Sequence, residues 1–112
     1  MAMTVYLDID QGSDFNAEFT LENDDGTPMN LTNFTPYSQF RKSYGSTTAY
    51  SFTAVVSNAL LGKITISLSG AQSSLIKPGR YLYDIEILGS AGQKSRVIEG
   101  VVTLNPEITR VP

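Results

Sequence analysis

The sequence predicts an all-β protein, an antiparallel β-sandwich of about seven to eight strands with one short helical turn. Apolar side chains recur at every second position in several short segments, which places them on one face of a strand. Turn-forming residues separate these segments at regular spacing, as in sandwiches and barrels. The 112 residues suit one domain, so we expect a single β-sandwich domain spanning residues 1–112.

The first two predicted strands lie near the amino terminus. Apolar residues alternate with outward-facing ones over residues 5–9 and again over residues 15–21. Residues 23–28 contain an Asp-Gly step and a proline, which are typical of a tight turn. Residues 31–34 are expected to form a short irregular connection to the next strand.

Three further strands are predicted in the middle of the chain. In residues 34–41 the even positions face inward, and Pro36 indicates an edge strand or the start of a strand, because proline cannot donate to a sheet ladder. Residues 50–56 alternate in the same way. Residues 64–68 combine alternation with high β-propensity and give the clearest strand prediction in the sequence.

The only helical signal follows that strand. Ser69 stands three residues before Gln72, the spacing of a capping box, and this predicts one or two helical turns. Alternation resumes over residues 81–87, and a Ser-Ala-Gly hairpin leads to the last strand, residues 98–104. Gly100 is expected to mark a β-bulge in this last strand.

Residues 75–83 favour a sandwich over a barrel. They combine a leucine, a crossover turn and Tyr81 at the start of the penultimate strand. This arrangement resembles the tyrosine corner of immunoglobulin-like folds, in which a tyrosine hydroxyl bonds to the backbone a few residues upstream. We therefore expect the sandwich to be immunoglobulin-like.

The composition argues against several classes of function. The chain has no cysteine and no histidine, which removes disulfides, thiol nucleophiles, the usual zinc ligand sets and the commonest general base. Its net charge of -3 lacks the sign that nucleic acid requires. No secretory signal and no run of ~20 apolar residues is visible. We expect no enzymatic activity, no cofactor, and neither nucleic acid nor membrane as a partner.

Two groups of carboxylates remain as candidates for chemistry. Asp8, Asp10 and Asp14 have the close spacing that a hard cation such as calcium uses, but solvated acids beside a turn are the favoured interpretation. Asp84 and Glu86 alternate on one strand face, where two carboxylates could serve glycoside hydrolysis. Ordinary surface acids are again favoured, and no catalytic or metal residue is assigned.

Outward-facing aromatics are better candidates for an interface, because exposed tyrosine and arginine are frequent in binding hot spots. An equally weighted alternative is that Tyr6 and Tyr37 are cross-strand partners that strengthen a sheet. The terminal segments, residues 1–4 and 105–112, are free to add to a sheet edge of a neighbour, within the limits that Pro106 and Pro112 set for the second. The candidate interface residues are Met1, Tyr6, Tyr37, Arg41, Tyr44, Pro106 and Ile108.

An ordered set of segments along nearly the whole chain resembles a known family. The segments are residues 9–15 (IDQGSDF), 26–32 (GTPMNLT), 40–43 (FRKS), 62–69 (GKITISLS), 79–86 (GRYLYDIE) and 102–110 (VTLNPEITR). They are similar to the immunoglobulin-like domain of tailed-bacteriophage virion proteins, found at the amino terminus of baseplate upper proteins and in small stand-alone relatives. A longer baseplate protein continues after this domain, whereas this sequence stops at Pro112, which suits a capsid decoration or adaptor protein equally well.

The resemblance implies a non-catalytic virion structural protein of the tail, baseplate, neck or capsid surface. Its partners would be other phage structural proteins, including copies of itself, and it would be assembled in the host cytoplasm. The alternative is a carbohydrate-binding or adhesive module that contacts a host surface. Such modules more often use tryptophan, which is absent from this sequence.

Overall fold

The computed structural model describes residues 3–109 and shows an all-β fold with one short helix in that range. The predicted number of strands and the single helical turn are confirmed. The elements are β1 (Met3–Thr4), β2 (Leu7–Asp10), β3 (Phe15–Thr20), β4 (Phe34–Arg41), β5 (Tyr50–Asn58), β6 (Lys63–Leu68), α1 (Gly70–Ser73), β7 (Gly79–Gly89) and β8 (Lys94–Asn105).

The strands form one hydrogen-bonded path in the order β1-β8-β7-β4-β5-β6-β3, with β2 also paired to β8. β5 connects the two halves of this path, because residues 50–52 pair with β4 and residues 53–58 pair with β6. The sheet curls, and both halves contribute to a single cluster of buried side chains.

The sheet is mostly antiparallel but mixed, so the predicted antiparallel arrangement is confirmed only in part. β1 and β2 both run parallel to β8, whereas the other pairs are antiparallel. Alternation predicts which face a side chain takes, but it carries no information about the partner strand or its direction.

The predicted inward faces are the ones that pack into the core. Ile64 and Ile66 of β6 and Ile85 of β7 are completely buried. Phe40 lies at the centre of an aromatic group, with ring centroids 4.8 Å from Phe52 and 5.4 Å from Tyr81. Aromatic pairs at these separations add stabilisation beyond the area they bury.

The predicted helix and its cap are present as expected. The Ser69 side chain accepts a hydrogen bond from the Gln72 backbone, and the Gln72 side chain accepts one from the Ser69 backbone.

Pro36 precedes the stretch of β4 that pairs with β5, which covers residues 38–40. Its missing N–H donor therefore leaves no gap in the β4–β5 ladder.

The bulge predicted at Gly100 lies elsewhere. The β7–β8 register shifts between Ile85 and Glu86, so that Val97 is the extra residue in β8. Gly100 instead lies against the break between β1 and β2, where a Cβ would overlap the carbonyl oxygen of Val5. A glycine is required at position 100 for close approach of two backbones, not for an extra residue.

Tyr81 and Tyr83 tie β7 to other parts of the chain through their hydroxyl groups. The Tyr81 hydroxyl donates to the carbonyl of Lys77, four residues upstream. The Tyr83 hydroxyl donates to the carbonyl of Val5 at 2.9 Å. Burial raises the pKa of Tyr83 to about 12. Both tyrosines therefore act as buried anchors of backbone segments.

Candidate functional site

The outward face formed by β4, β7 and β8 holds most of the charged and aromatic side chains that the sequence suggests for binding. The strand register places Glu86 between Tyr37 and Arg96. It also places Asp84 between Gln39 and Glu99. We call this surface the outer face.

Arg96 bridges two carboxylates on the outer face. Asp84 and Glu99 lie directly opposite each other, an arrangement of like charges that is unfavourable by itself. The Arg96 Nε atom lies 3.0 Å from Asp84 Oδ2, and its Nη1 atom lies 3.3 Å from Glu99 Oε2. Burial and then the charge of Glu86 raise the pKa of Asp84, while Arg96 acts in the opposite direction.

Sequence reasoning did not identify Arg96 and Glu99 as neighbours. Simple alternation would put residues 96 and 99 on opposite faces. The extra residue at Val97 shifts the alternation, so that both side chains reach the same face. The signal that could have found them is the bulge itself, which alternation alone does not locate.

Three of the four candidate interface side chains on strands and loops lie around one hollow on the outer face, with a volume of about 530 Å³. We call it the outer-face hollow. Tyr6 and Tyr44 are 73% and 80% exposed. Arg41 is held by the Ser46 carbonyl at 2.8 Å and by Gln39 Oε1 at 3.2 Å. This bonding ties β4 to the loop that carries Tyr44.

Tyr37 lies apart from this group. It lines a second hollow on the same face, together with Leu88 and Lys94. Its direct cross-strand neighbour is Glu86, and β7 and β8 separate it from the amino-terminal strands that flank Tyr6. The alternative in which Tyr6 and Tyr37 are cross-strand partners was therefore wrong.

The candidate residues near the termini have different surroundings. Ile108 is 96% exposed and Pro106 is also exposed, whereas Met1 lies outside the described residues. Met3 and Thr4, which were expected to be free for strand addition to a neighbour, pair with β8 of their own chain.

A network of hydrogen bonds holds the end of the molecule near α1. Gln11 donates to the Ile76 carbonyl at 3.1 Å and accepts from the Glu107 backbone N–H at 3.1 Å. The buried Ser73 hydroxyl accepts from the Gly12 N–H at 2.9 Å. We call this end of the molecule, with the exposed Leu75, Pro106 and Ile108 around it, the α1 end.

Two of the three acidic residues considered for a cation, Asp10 and Asp14, have other partners. Asp14 accepts a hydrogen bond from the Gly70 N–H at 2.7 Å, beside the start of α1. Asp10 lies 3.4 Å from the side-chain nitrogen of Asn105. Within residues 3–109, no group of three or more His, Cys, Asp or Glu side chains is placed to hold a metal ion.

Comparisons with known proteins identify no family but show similar folds. No protein-family model matches this chain, and neither does any curated protein sequence. The Listeria monocytogenes internalin-like protein lmo2027 is similar over 93% of this chain and 28% of its own, with 17% identity and a TM-score of 0.51. The SrpA adhesin of Streptococcus sanguinis is similar over 90% of this chain and 55% of its own, with 14% identity and a TM-score of 0.52.

At these identities the likeness concerns the fold alone. This chain spans just over a quarter of the first of these proteins and just over half of the second. In the part of the chain that the structure describes, no helix has the length and apolar character needed to cross a bilayer.

Proposed function

We propose that this chain is a non-catalytic structural protein of a bacteriophage virion, which works through protein–protein contacts in a symmetric assembly. The observation that carries the proposal is the α1 end, where Leu75 is 87% exposed and Ile108 is 96% exposed beside backbone segments that Gln11 joins. Exposed aliphatic side chains that lie beside hydrogen-bonded backbone segments are suited to be anchors in an interface. The resemblance of the ordered segments over residues 5–110 supports the virion assignment.

Hydrogen bonds order part of the backbone at the α1 end before any partner binds. Gln11 joins the backbones of Ile76 and Glu107, which are the residues next to Leu75 and Ile108. Ordering a flexible segment costs free energy during association, and a segment that is already ordered avoids part of that cost. The two aliphatic side chains would therefore contribute their burial more fully to affinity.

We also propose that the curled sheet is an immunoglobulin-like sandwich. Three features support this arrangement. The Tyr81 hydroxyl bonds to the Lys77 carbonyl as in a tyrosine corner. In addition, β2 runs parallel to β8, and β5 pairs first with one half of the sheet and then with the other.

The first experiment is quantitative mass spectrometry of purified virus particles. A copy number near that of the major capsid protein would mean decoration, and a small multiple of three or six would mean neck, tail or baseplate. Absence of the chain from purified particles would contradict the proposal.

A substitution of Ile108 tests whether the α1 end is the contact surface. Ile108→Asp should lower incorporation into particles about tenfold or more, because a charge replaces an apolar anchor. Leu60→Asp is the matched control, since Leu60 is 71% exposed in the turn between β5 and β6, away from α1. Equal incorporation of both variants would show that the α1 end is not the contact surface.

The second candidate function is an adhesive module that contacts a host surface. The outer-face hollow favours it, because Tyr6, Arg41 and Tyr44 surround one concave site. The two proteins of similar fold, an adhesin and an internalin-like protein, agree with this direction. Binding of the labelled protein to whole host cells, measured by flow cytometry, tests it, and a signal no higher than that of an unrelated β-domain would contradict it.

A further inference from the structure

We propose that the outer-face hollow binds a neutral saccharide through Tyr6 and Tyr44. This inference rests on the adhesive candidate and names the class of ligand for it. It is independent of the contacts proposed at the α1 end, because the outer-face hollow lies on the exposed side of β4, β7 and β8.

The size of the outer-face hollow suits a small ligand. Its volume of about 530 Å³ falls within the usual range of about 300–1,000 Å³ for small-molecule sites. It is open to solvent, with Tyr6 and Tyr44 as its most exposed aromatic side chains. A ligand that remains partly hydrated, as a saccharide does, can occupy an open site of this kind.

The charges around the outer-face hollow argue against an acidic ligand. Two cations, Arg41 and Arg96, face three carboxylates, Asp84, Glu86 and Glu99, which leaves an excess of one negative charge. Arg96 is already bound to two of these carboxylates. An acidic sugar would therefore meet more repulsion than attraction, whereas a neutral ligand carries no such cost.

The polar groups around the outer-face hollow can bond to hydroxyl groups without being rearranged. Arg41 is fixed by Ser46 and Gln39, and Arg96 is fixed by Asp84 and Glu99. Guanidinium groups carry five donors, and carboxylates accept several bonds, so these internal bonds do not use their full capacity. A saccharide presents hydroxyl groups that both donate and accept, which matches such a mixed set.

The two tyrosines supply the apolar part of the site. Each ring is mostly exposed, at 73% for Tyr6 and 80% for Tyr44, so its face is available to the C–H side of a pyranose ring. Tyrosine loses little conformational entropy on binding, because it has only two side-chain torsions. The loop that carries Tyr44 is tied to β4 by the hydrogen bond from Arg41 to the Ser46 carbonyl.

The test is saturation-transfer NMR of the 112-residue chain with five probes. Lactose, maltotriose, N,N′-diacetylchitobiose and mannobiose are neutral, and 3′-sialyllactose is acidic. We expect at least one neutral probe to bind with millimolar affinity and to bind more tightly than the acidic probe. In isotope-labelled protein, adding the bound saccharide should change the NMR chemical shifts of residues 82–86 and 99–101. Tyr44→Ala should weaken binding about tenfold, which corresponds to ~1.4 kcal/mol.

Tyr37→Ala is the matched control, because Tyr37 is an exposed tyrosine of the same face that does not line the outer-face hollow. Any one of three results would overturn the inference. The first is the absence of saturation transfer to every neutral probe, and the second is tighter binding of 3′-sialyllactose than of the neutral probes. The third is an equal effect of Tyr37→Ala and Tyr44→Ala on binding. Cell binding that persists without saccharide binding would leave the adhesive candidate standing. The composition of virus particles is measured separately and does not depend on this result.

Discussion

Tyr83 shows how a single buried hydroxyl connects two distant parts of the chain. Its ring lies in the core next to Phe52, while its hydroxyl donates to the carbonyl of Val5, which lies between β1 and β2. Tyrosine can do both because it has an apolar body and a polar tip. The amino-terminal edge of the sheet is therefore tied to the core by one side chain.

Tyr83→Phe should lower the free energy of unfolding by about 1 kcal/mol, because it removes a hydrogen bond to a backbone carbonyl. The pKa of Tyr83 is about 12 in the folded protein against 10.0 ordinarily, so its contribution is complete below pH 10 and is lost as the pH rises through 12. Urea unfolding across this range should show a smaller alkaline loss in the variant. Tyr37→Phe, at an exposed position, is the control and should behave as the original protein does.

Asp84 should respond to pH in the acidic range. Its pKa is raised in the folded protein, mainly by burial and then by Glu86, so ionisation costs stability, and this stability is regained as the pH falls through the raised pKa to 3.8. Asp84→Asn should therefore unfold at a similar or higher urea concentration at neutral pH, with a gain under about 1 kcal/mol because the Arg96 bond is lost. The variant's advantage should disappear below pH 3.8. A clear destabilisation at neutral pH would show that the bond to Arg96 dominates instead.

At the scale of elements, β1 and β2 depend on a backbone contact that only glycine allows. The Val5 N–H donates to the Glu99 carbonyl at 2.9 Å, directly beside Gly100. A side chain at position 100 would overlap the Val5 carbonyl oxygen. The edge formed by β1 and β2 therefore depends on Gly100 in β8, the strand with which both of them pair.

Gly100→Ala should displace this edge and destabilise the protein by about 1–3 kcal/mol, the usual range for overpacking. Hydrogen exchange at the backbone N–H of Val5 should speed up more than exchange in β6. Gly45→Ala is the control, because a Cβ at Gly45 would meet no atom within 4 Å. Unchanged exchange at Val5 in Gly100→Ala would show that the edge does not depend on this contact.

At the scale of the whole molecule, the two halves of the sheet share one core. Phe40 of β4 contacts Phe52, which lies where β5 passes from pairing with β4 to pairing with β6. The buried residues of β3 and β6 belong to the same cluster as those of β7 and β8. The halves are therefore expected to unfold together.

Phe40→Ala should cost about 3–5 kcal/mol, because Phe40 is 1% exposed and its removal leaves a cavity. Hydrogen-exchange protection should fall in β6 and in β7 by the same free energy, since one cooperative unit contains both. Tyr37→Ala, on the outer side of the same strand, should have a small effect. Loss of protection in β7 alone would indicate two separately stable halves.

The sequence by itself determined on which face of its strand each side chain lies, where the turns occur and where the capped helix begins. Ser69 and Gln72 need only each other to form a cap, and alternation needs only the strand geometry. Exposure of Tyr6, Tyr44 and Ile108 also followed from local pattern or position in the chain. These features depend on residues that are close in the sequence, so local chemistry is sufficient.

The tertiary structure alone decided the parallel pairing of β1 and β2 with β8, the bulge at Val97 and the grouping of Tyr6 with Arg41 and Tyr44. Each of these depends on which strands lie side by side and in which register, and the residues that meet through that choice are about 10 to 95 positions apart. Strand partners are selected by the packing of the complete core. No short stretch of sequence contains that information.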